Sequence, residues 1–316
     1  MELTLQHIME IRGKLLAELN SLQGIVRDFA RGVAHHYGTG LYLFGRPGTA
    51  KTHTVRKLME QEIREPYTYQ RGHLTPMGLF ELIAEHPDDL IVLDDLGAVL
   101  DSDVALQILL SALEHPAPGD RTRSRTIKYK RQGREERVSF RGGIICISNR
   151  ELHDNELLGA FKSRVHMLEY DPSDAQLGAL MLGIAELGWP NTGRQEICPE
   201  ETRMVAHFLI EEMLRLGCRF DLRLLMNKAF PDFQQWKDDE AESDWRDLVT
   251  ASIEEHLVSV RHPDKRPSRA ERKQDEQLII REILEQQETR VERVRIWTER
   301  TGKSERAFYR RLAEMQ

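Results

Sequence analysis

The chain has 316 residues, 40% of them apolar and 31% charged, with a formal net charge of −7. That length holds about two domains, and the negative balance excludes a globally basic protein, so any hold on nucleic acid has to come from local patches. Three cysteines (Cys146, Cys198 and Cys218), none in a C-x-x-C pair, argue against both a disulfide framework and a zinc cluster. No run of about 18 apolar residues marks a membrane span. Residues 1–31 are too charged for a signal peptide, so the cytoplasm is the expected location.

Residues 1–36 read as helical, with apolar Ile8, Ile11, Leu15, Leu16, Leu19 and Leu22 recurring at spacings of three and four. An apolar strand at Leu41–Phe44 follows, then a glycine-containing loop and a helix over Lys51–Ile63. Tyr67–Gln70 is a short strand, Thr75–Glu85 a helix with Pro76 in its first turn, and Leu90–Leu93 a strand ending in Asp94-Asp95. Val104–Leu113 is apolar nearly all round, as a helix buried between a sheet and a neighbour would be. Further strands are expected at Ile144–Ile147 and Val165–Tyr170. Strands alternating with helices at these spacings predict an α/β fold with a parallel sheet covered on both faces. From Asp171 the strands stop. A capping-box helix opens at Ser173 and ends near Gly188, a second runs from Pro199 to Gly217, a third spans Asp221–Phe230 and is stopped by Pro231, and a fourth starts at Ser243. The proline- and charge-rich segment 261–274 reads as a linker. Beyond it, Leu278–Leu284, Val291–Trp297 and Ser304–Leu312 make three short amphipathic helices.

The loop Gly45-Arg46-Pro47-Gly48-Thr49-Ala50-Lys51-Thr52 is the most specific signal in the chain. Glycines let the backbone curl until successive N–H groups point at phosphate oxygens, at the positive end of the following helix. Lys51 then reaches the β and γ phosphates and the Thr52 hydroxyl becomes a magnesium ligand, which implies a nucleoside triphosphate. Ala50 stands where a second glycine is expected; alanine adds only a methyl group, so the loop survives there if that residue needs no positive φ. Asp94 and Asp95 arrive at the carboxyl end of a buried strand, where ligands gather in such sheets. Asp94 would hold magnesium and Asp95 would act as the base that polarises the attacking water. Asn149, after the Ile144–Ile147 strand, would hold the lytic water or report on the γ-phosphate with help from Ser148; the plain alternative is a turn residue.

Together these residues resemble the AAA+ ATPase superfamily. Gly45–Thr52 looks like Walker A, Leu90–Asp95 like Walker B and Asn149 like sensor 1, and the resemblance covers roughly residues 1–260. It implies a core over 1–170, a helical lid over 171–260, and ATP with Mg2+ as ligands. It also implies that Arg164, in Lys162-Ser163-Arg164-Val165, is a finger reaching the γ-phosphate held by an adjacent subunit. Arg223, in Asp221-Leu222-Arg223-Leu224-Leu225, would be sensor 2. The alternative for each arginine is a surface salt bridge. Most members carry Glu where Asp95 stands, and the shorter carboxylate implies either slow turnover or action through a second water. The Asp-Asp-Leu-Gly run is similar to loaders and transposition ATPases of the DnaC and IstB type, whereas the Ala50 loop resembles MoxR-type and minichromosome-maintenance members.

Residues 121–141 set nine positive charges against Glu135 and Glu136. Thr126–Lys130 and Arg137–Phe140 alternate like strands about a Gln132-Gly133 turn, which predicts a basic β-hairpin. Its place resembles the hairpin before sensor 1 in the MoxR, minichromosome-maintenance and RuvB-like clade. Lys128, Lys130 and Arg131 would face DNA in a ring's pore, or else merely keep an exposed edge soluble. Residues 275–316 read as a helix-turn-helix. Gly302 makes the turn, Ser304 caps the last helix, and Ala307, Phe308 and Leu312 pack on Val294 and Trp297. Lys303, Arg306, Arg310 and Arg311 would face phosphates or base edges, although such units also bind proteins. The expectation is an ATP-hydrolysing homo-oligomeric ring, a hexamer, acting on DNA and not on a membrane. A MoxR-like remodeller of a protein client and a DNA-bound ATP switch with very slow hydrolysis are the alternatives.

Overall fold

A computed structural model describes residues 3–116, 119, 122–131, 134–152, 156–189, 195–261, 279–281, 283–284, 290–301, 308–309 and 312. The chain divides into two compact units, Met1–Glu254 and Glu255–Gln316.

In the first unit, α1 (Leu5–Glu10) breaks at Ile11 and resumes as α2 (Arg12–Ala34). Next come β1 (Gly40–Phe44), α3 (Lys51–Gln61), β2 (Tyr67–Arg71), α4 (Pro76–Glu85) and β3 (Leu90–Asp94). A short α5 (Gly97–Leu100) leads to α6 (Asp103–Ala112), the hairpin strands β4 (Arg125–Arg131) and β5 (Arg134–Phe140), and β6 (Ile144–Ser148). Helix α7 (Glu156–Lys162) and β7 (His166–Glu169) complete the sheet region. Five parallel strands stand in the order β2-β3-β6-β1-β7.

The sheet is buried on both faces, which is why its central strands are unbroken apolar runs. Successive side chains leave a strand on opposite faces. Leu41, Leu43, Val92, Ile145 and Ile147 therefore pack with Val26, Ala30 and Val33 of α2 and Val55 and Leu58 of α3. Tyr42, Ile91, Leu93, Ile144 and Cys146 pack with Leu79 and Ile83 of α4, Leu106 and Leu109 of α6 and Phe161 of α7. The α/β class expected from the sequence is the one observed.

The hairpin is present, with Ile127 opposite Val138 and Lys128 opposite Arg137. Its inward face (Ile127, Tyr129, Val138 and Phe140) joins the α4/α6 core, where Tyr129 stacks on Phe80 at 5.3 Å. Arg125, counted in the sequence among the hairpin's positive charges, is not presented to solvent. Arg125 shares the inward face with Ile127 and is only 6% exposed. It donates to the Phe140 and Gly142 carbonyls and lies 4.9 Å over the Phe140 ring. Arg141 is held by both oxygens of Asp88, and Arg137 by Glu135. Lys128 and Lys130 are exposed. The Gln132-Gly133 turn lies outside the described residues, and the side chain of Arg131 is likewise not described.

After β7 come α8 (Asp174–Glu186), with the expected Ser173/Gln176 capping box, and α9 (Pro199–Arg215). The third helix of this region does not stop at Pro231. A short α10 (Leu222–Leu224) passes through a π-type turn at Leu225–Ala229 into α11 (Phe230–Lys237). The wide turn already replaces ordinary four-residue bonds, with Phe230 N–H reaching Leu225, so a proline lacking its N–H is accommodated at the next position. Helix α12 (Trp245–Arg261) follows.

In the second unit, α13 (Arg290–Thr301) carries Trp297, which is buried with Ile280, Ile283 and Phe308. Trp297 and Phe308 meet edge to face at 5.7 Å, and Val294 and Leu312 pack on the same cluster, as the sequence led us to expect. Gly302, Lys303, Ser304, Arg306, Ala307, Arg310 and Arg311 lie outside the described residues, as does the linker from 262 to 274.

Candidate nucleotide site

The loop from Gly45 to Ala50 links β1 to the N-terminus of α3 at the carboxyl edge of the sheet. Gly45 has φ 149°, and a Cβ there would come within 2.1 Å of the Tyr170 carbonyl oxygen. Gly48 has φ 69°, and a Cβ there would strike the Asp221 carboxylate at 1.6 Å. Thr49 is buried, its hydroxyl donating to the Arg46 carbonyl at 3.0 Å, while Pro47 is exposed. The condition set for Ala50 is not met. It takes φ 71°, ψ 17°, a left-handed conformation. The turn into α3 needs that twist, so the alanine methyl carries strain that a glycine would not.

Lys51 is 5% exposed, and its ammonium donates to the carbonyls of Gly45 at 2.7 Å and Arg46 at 2.5 Å. Burial, and next the charge of Arg223, push its pKa down to about 8. Two cations drawn from distant parts of the chain thus share one electrostatic neighbourhood at the loop, the arrangement an oligophosphate would neutralise. The backbone joins them as well. The Leu222 N–H donates to the Gly48 carbonyl at 3.0 Å, and the Asp221 carboxylate accepts the Arg223 N–H at 2.7 Å.

Asp94 ends β3 beside the loop. The Thr52 hydroxyl lies 3.2 and 3.4 Å from its two carboxylate oxygens, and the Tyr69 hydroxyl donates to it at 2.5 Å. Burial and then that bond to Asp94 raise the Tyr69 pKa, so the phenol remains a donor. A carboxylate and a hydroxyl at a helix N-terminus are hard oxygen donors of the kind Mg2+ takes when it keeps waters and phosphates as its other ligands. Asp95 is exposed at φ 68°, its N–H bonded to the Ile147 carbonyl at 3.1 Å. Asn149 follows β6, which pairs with β1 on one side and β3 on the other, so its backbone stands between the loop and the acids. The Ser148 hydroxyl accepts the Arg150 N–H at 3.0 Å and is buried, so it is committed to the turn.

Arg164 is placed elsewhere. It precedes β7, whose His166 pairs with Leu41 at the start of β1, so it belongs to the sheet edge opposite its own loop. Its guanidinium donates to Glu114 at 3.0 and 3.1 Å and to the Ala160 carbonyl. Four residues of strand, about 13 Å, separate that edge from Phe44. It is therefore not a ligand of its own chain's loop.

Two contributors were missed in the sequence. Tyr69 is one. The other is Arg46, which donates from within the loop to Asp171 at 2.5 Å, Asp174 at 2.9 Å and the Pro172 carbonyl at 2.6 Å. Asp174 also pairs with Arg219 and accepts the Phe220 N–H, so the loop is fastened to the start of α8 and to the segment before α10. A cation inside the loop and the Asp171-Pro172-Ser173-Asp174 run were the available signals.

No known family model matches the sequence, and no curated protein is similar to it. Among solved structures, the chain is similar to C. elegans PCH-2 (TM-score 0.41, 17% identity, covering 76% of this chain and 69% of that one). It is likewise similar to the Thermotoga maritima RuvB Holliday junction branch migration motor (TM-score 0.42, 14% identity, covering 84% and 76%). The class of the chain rests on its own sheet order and loop, not on these likenesses. A parallel sheet in the order β2-β3-β6-β1-β7, with a glycine-containing loop after β1 and acids after β3, is the α/β architecture that the AAA+ resemblance led us to expect.

Proposed function

We propose that the chain is an AAA+ ATPase that hydrolyses ATP with Mg2+ at the interfaces of a homo-oligomeric ring, a hexamer, and acts on DNA in replication, transposition or repair. The observation that carries the reading is the convergence of Lys51, Thr52, Asp94 and the Arg223 segment on one loop. In this mechanism the amides of Gly48, Thr49 and Ala50 and the Lys51 ammonium bind the triphosphate, with Gly45 and Pro47 shaping the loop. Thr52 and Asp94 would hold Mg2+, which supplies charge neutralisation on the phosphates. Asp95 and Asn149 orient the attacking water. Arg223 couples phosphate occupancy to the helices that follow Asp171. Arg164 serves the neighbouring protomer, since its place at the far edge of the sheet leaves it nothing to do at its own loop.

DNA would be held by Lys128, Lys130 and Arg131 of the hairpin and by Lys303, Arg306, Arg310 and Arg311 of the C-terminal unit. One observation favours the second reading, a remodeller of a protein client. Arg125 faces inward, and Arg137 and Arg141 are paired with carboxylates, so the described outward face of the hairpin is less basic than its composition. A third reading, a slow ATP-dependent DNA switch, rests on the short carboxylate of Asp95. The test is the ATPase rate with and without single- and double-stranded DNA, repeated after Lys128→Ala with Lys130→Ala. Stimulation that the double variant loses supports the DNA reading. Unstimulated turnover with no salt-sensitive DNA binding overturns it in favour of a protein client, and single-turnover hydrolysis with tight ATP-dependent DNA binding selects the switch.

A further inference from the structure

At the amino edge of the sheet, away from the phosphate loop, a cleft of about 240 Å³ is lined by His36, Thr39, His115, Arg123, Arg125 and Arg141, among others. It lies where α2 turns into β1 and where both hairpin strands meet the sheet, since Arg125 opens β4 and Arg141 follows β5. Drug-sized ligands occupy pockets of roughly 300–1,000 Å³, so this one suits something smaller. Its chemistry is one-sided. Arg141 is paired with Asp88, but no carboxylate among the described residues pairs with Arg123, Arg125, His36 or His115. Arg125 uses Nε and one Nη on the Phe140 and Gly142 carbonyls, both neutral acceptors, so among the described residues its charge has no counter-ion. A buried charge without a partner is costly, and it persists where something supplies the opposite sign.

The backbone around the cleft is unusual too. His36 at φ 62° and Arg123 at φ 53° are both left-handed without being glycine, and both line it. Such strained positions gather at ligand-holding sites. The His36 imidazole senses the uncompensated field, its pKa lowered by burial first and then by Arg123 and Arg125. Glu65 pulls the other way, and His35 adds a small further push down.

We propose that this cleft binds a phosphate-class oxyanion, with Arg123 and Arg125 as its cationic walls and the His36 and His115 imidazoles as donors. The anion has two possible sources: a backbone phosphate of a nucleic acid strand lying along the foot of the hairpin, or a free phosphorylated small molecule. The site needs neither ATP nor hydrolysis, so it stands apart from the reading above. Binding strengthens as pH falls through the His36 pKa, because the protonated imidazole adds a donor and a charge. It weakens with salt, as phosphate contacts do.

The experiment uses the full chain carrying Lys51→Ala, which removes phosphate affinity at the loop. Imidazole NMR signals of His36 and His115, assigned through His36→Gln and His115→Gln, are followed as inorganic pyrophosphate or an oligothymidylate is added. The expected result is saturable movement of both signals at millimolar pyrophosphate or below, with the His36 pKa rising on binding. Arg123→Asn, which suits the left-handed backbone, is expected to weaken binding about tenfold, the loss of one charge-assisted contact worth roughly 1.4 kcal/mol. Response to the oligonucleotide alone assigns a backbone phosphate, and response to pyrophosphate alone a free ligand. Signals that ignore both probes overturn the proposal, as does binding that Arg123→Asn leaves unchanged.

Discussion

Ala50→Gly tests whether the Gly45–Thr52 loop is held under strain. Ala50 sits at φ 71°, ψ 17° immediately before α3. A left-handed conformation costs an L-residue with a Cβ roughly 1–2 kcal/mol that glycine does not incur. Glycine returns about 0.4–1 kcal/mol of that through its greater freedom in the unfolded chain. The net expectation is stabilisation by about 0.5–1 kcal/mol. In a cooperative unit of this size 1 kcal/mol moves the melting temperature by about 2–4 °C, so the variant is expected to melt about 1–4 °C higher. ATP affinity is expected not to fall, because the loop amides already point as the glycine would place them. The opposite substitution, Ala50→Val, puts a β-branched residue in the same conformation and is expected to cost more than the glycine gains. Calorimetry of the three proteins decides the matter. If Ala50→Gly melts at or below the parent and Ala50→Val at the same temperature, the loop is not strained at this residue and the argument fails.

Arg164→Ala is expected to abolish turnover, a loss of about 10³–10⁵, with ATP affinity nearly intact, whereas its exposed partner is dispensable, so Glu114→Gln should retain activity; equal turnover in the Arg164 variant removes it from the mechanism. Arg46→Ala cuts three donations to Asp171, Pro172 and Asp174 and is expected to cost about 1–3 kcal/mol of stability. Amide exchange across residues 171–176 should speed up, and unchanged exchange there would refute the fastening. The Lys51 pKa lies at about 8, below its ordinary value, so the folded protein gains stability as pH rises from about 8 toward 10.5, while the proposed hold on a triphosphate needs the charged form. ATP affinity measured across pH should therefore be level below about 7 and fall by up to tenfold per unit above 8; a level curve to about 9.5 would contradict a buried, depressed lysine.

The central strands were legible because burial on both faces demands uninterrupted apolar residues, and Leu90–Leu93 and Ile144–Ile147 supply them. The hairpin was legible from alternation. That same alternation, followed for one residue more, puts Arg125 on the face of Ile127 and Tyr129, and counting charges concealed it. Helix α7, of seven residues, was too short to announce itself by period. Pro231 misled because a proline breaks an α-helix by removing one specific bond, and a π-type turn had already rearranged the bonds there. Within the candidate site, the loop, the acids and the amide could be located because each is marked by its neighbours in sequence. Tyr69 and Arg46 act on partners from other strands and helices, and nothing local reveals those meetings.

The place of Gly48 has a consequence for any attempt to tune this protein. The space that a side chain at Gly48 would fill is taken by Asp221, a residue from another part of the chain. The loop and the helix that follows Asp221 therefore share a wall only one carboxylate thick. Tightening one without disturbing the other is not open to single substitutions, and a redesign would have to rebuild both surfaces together.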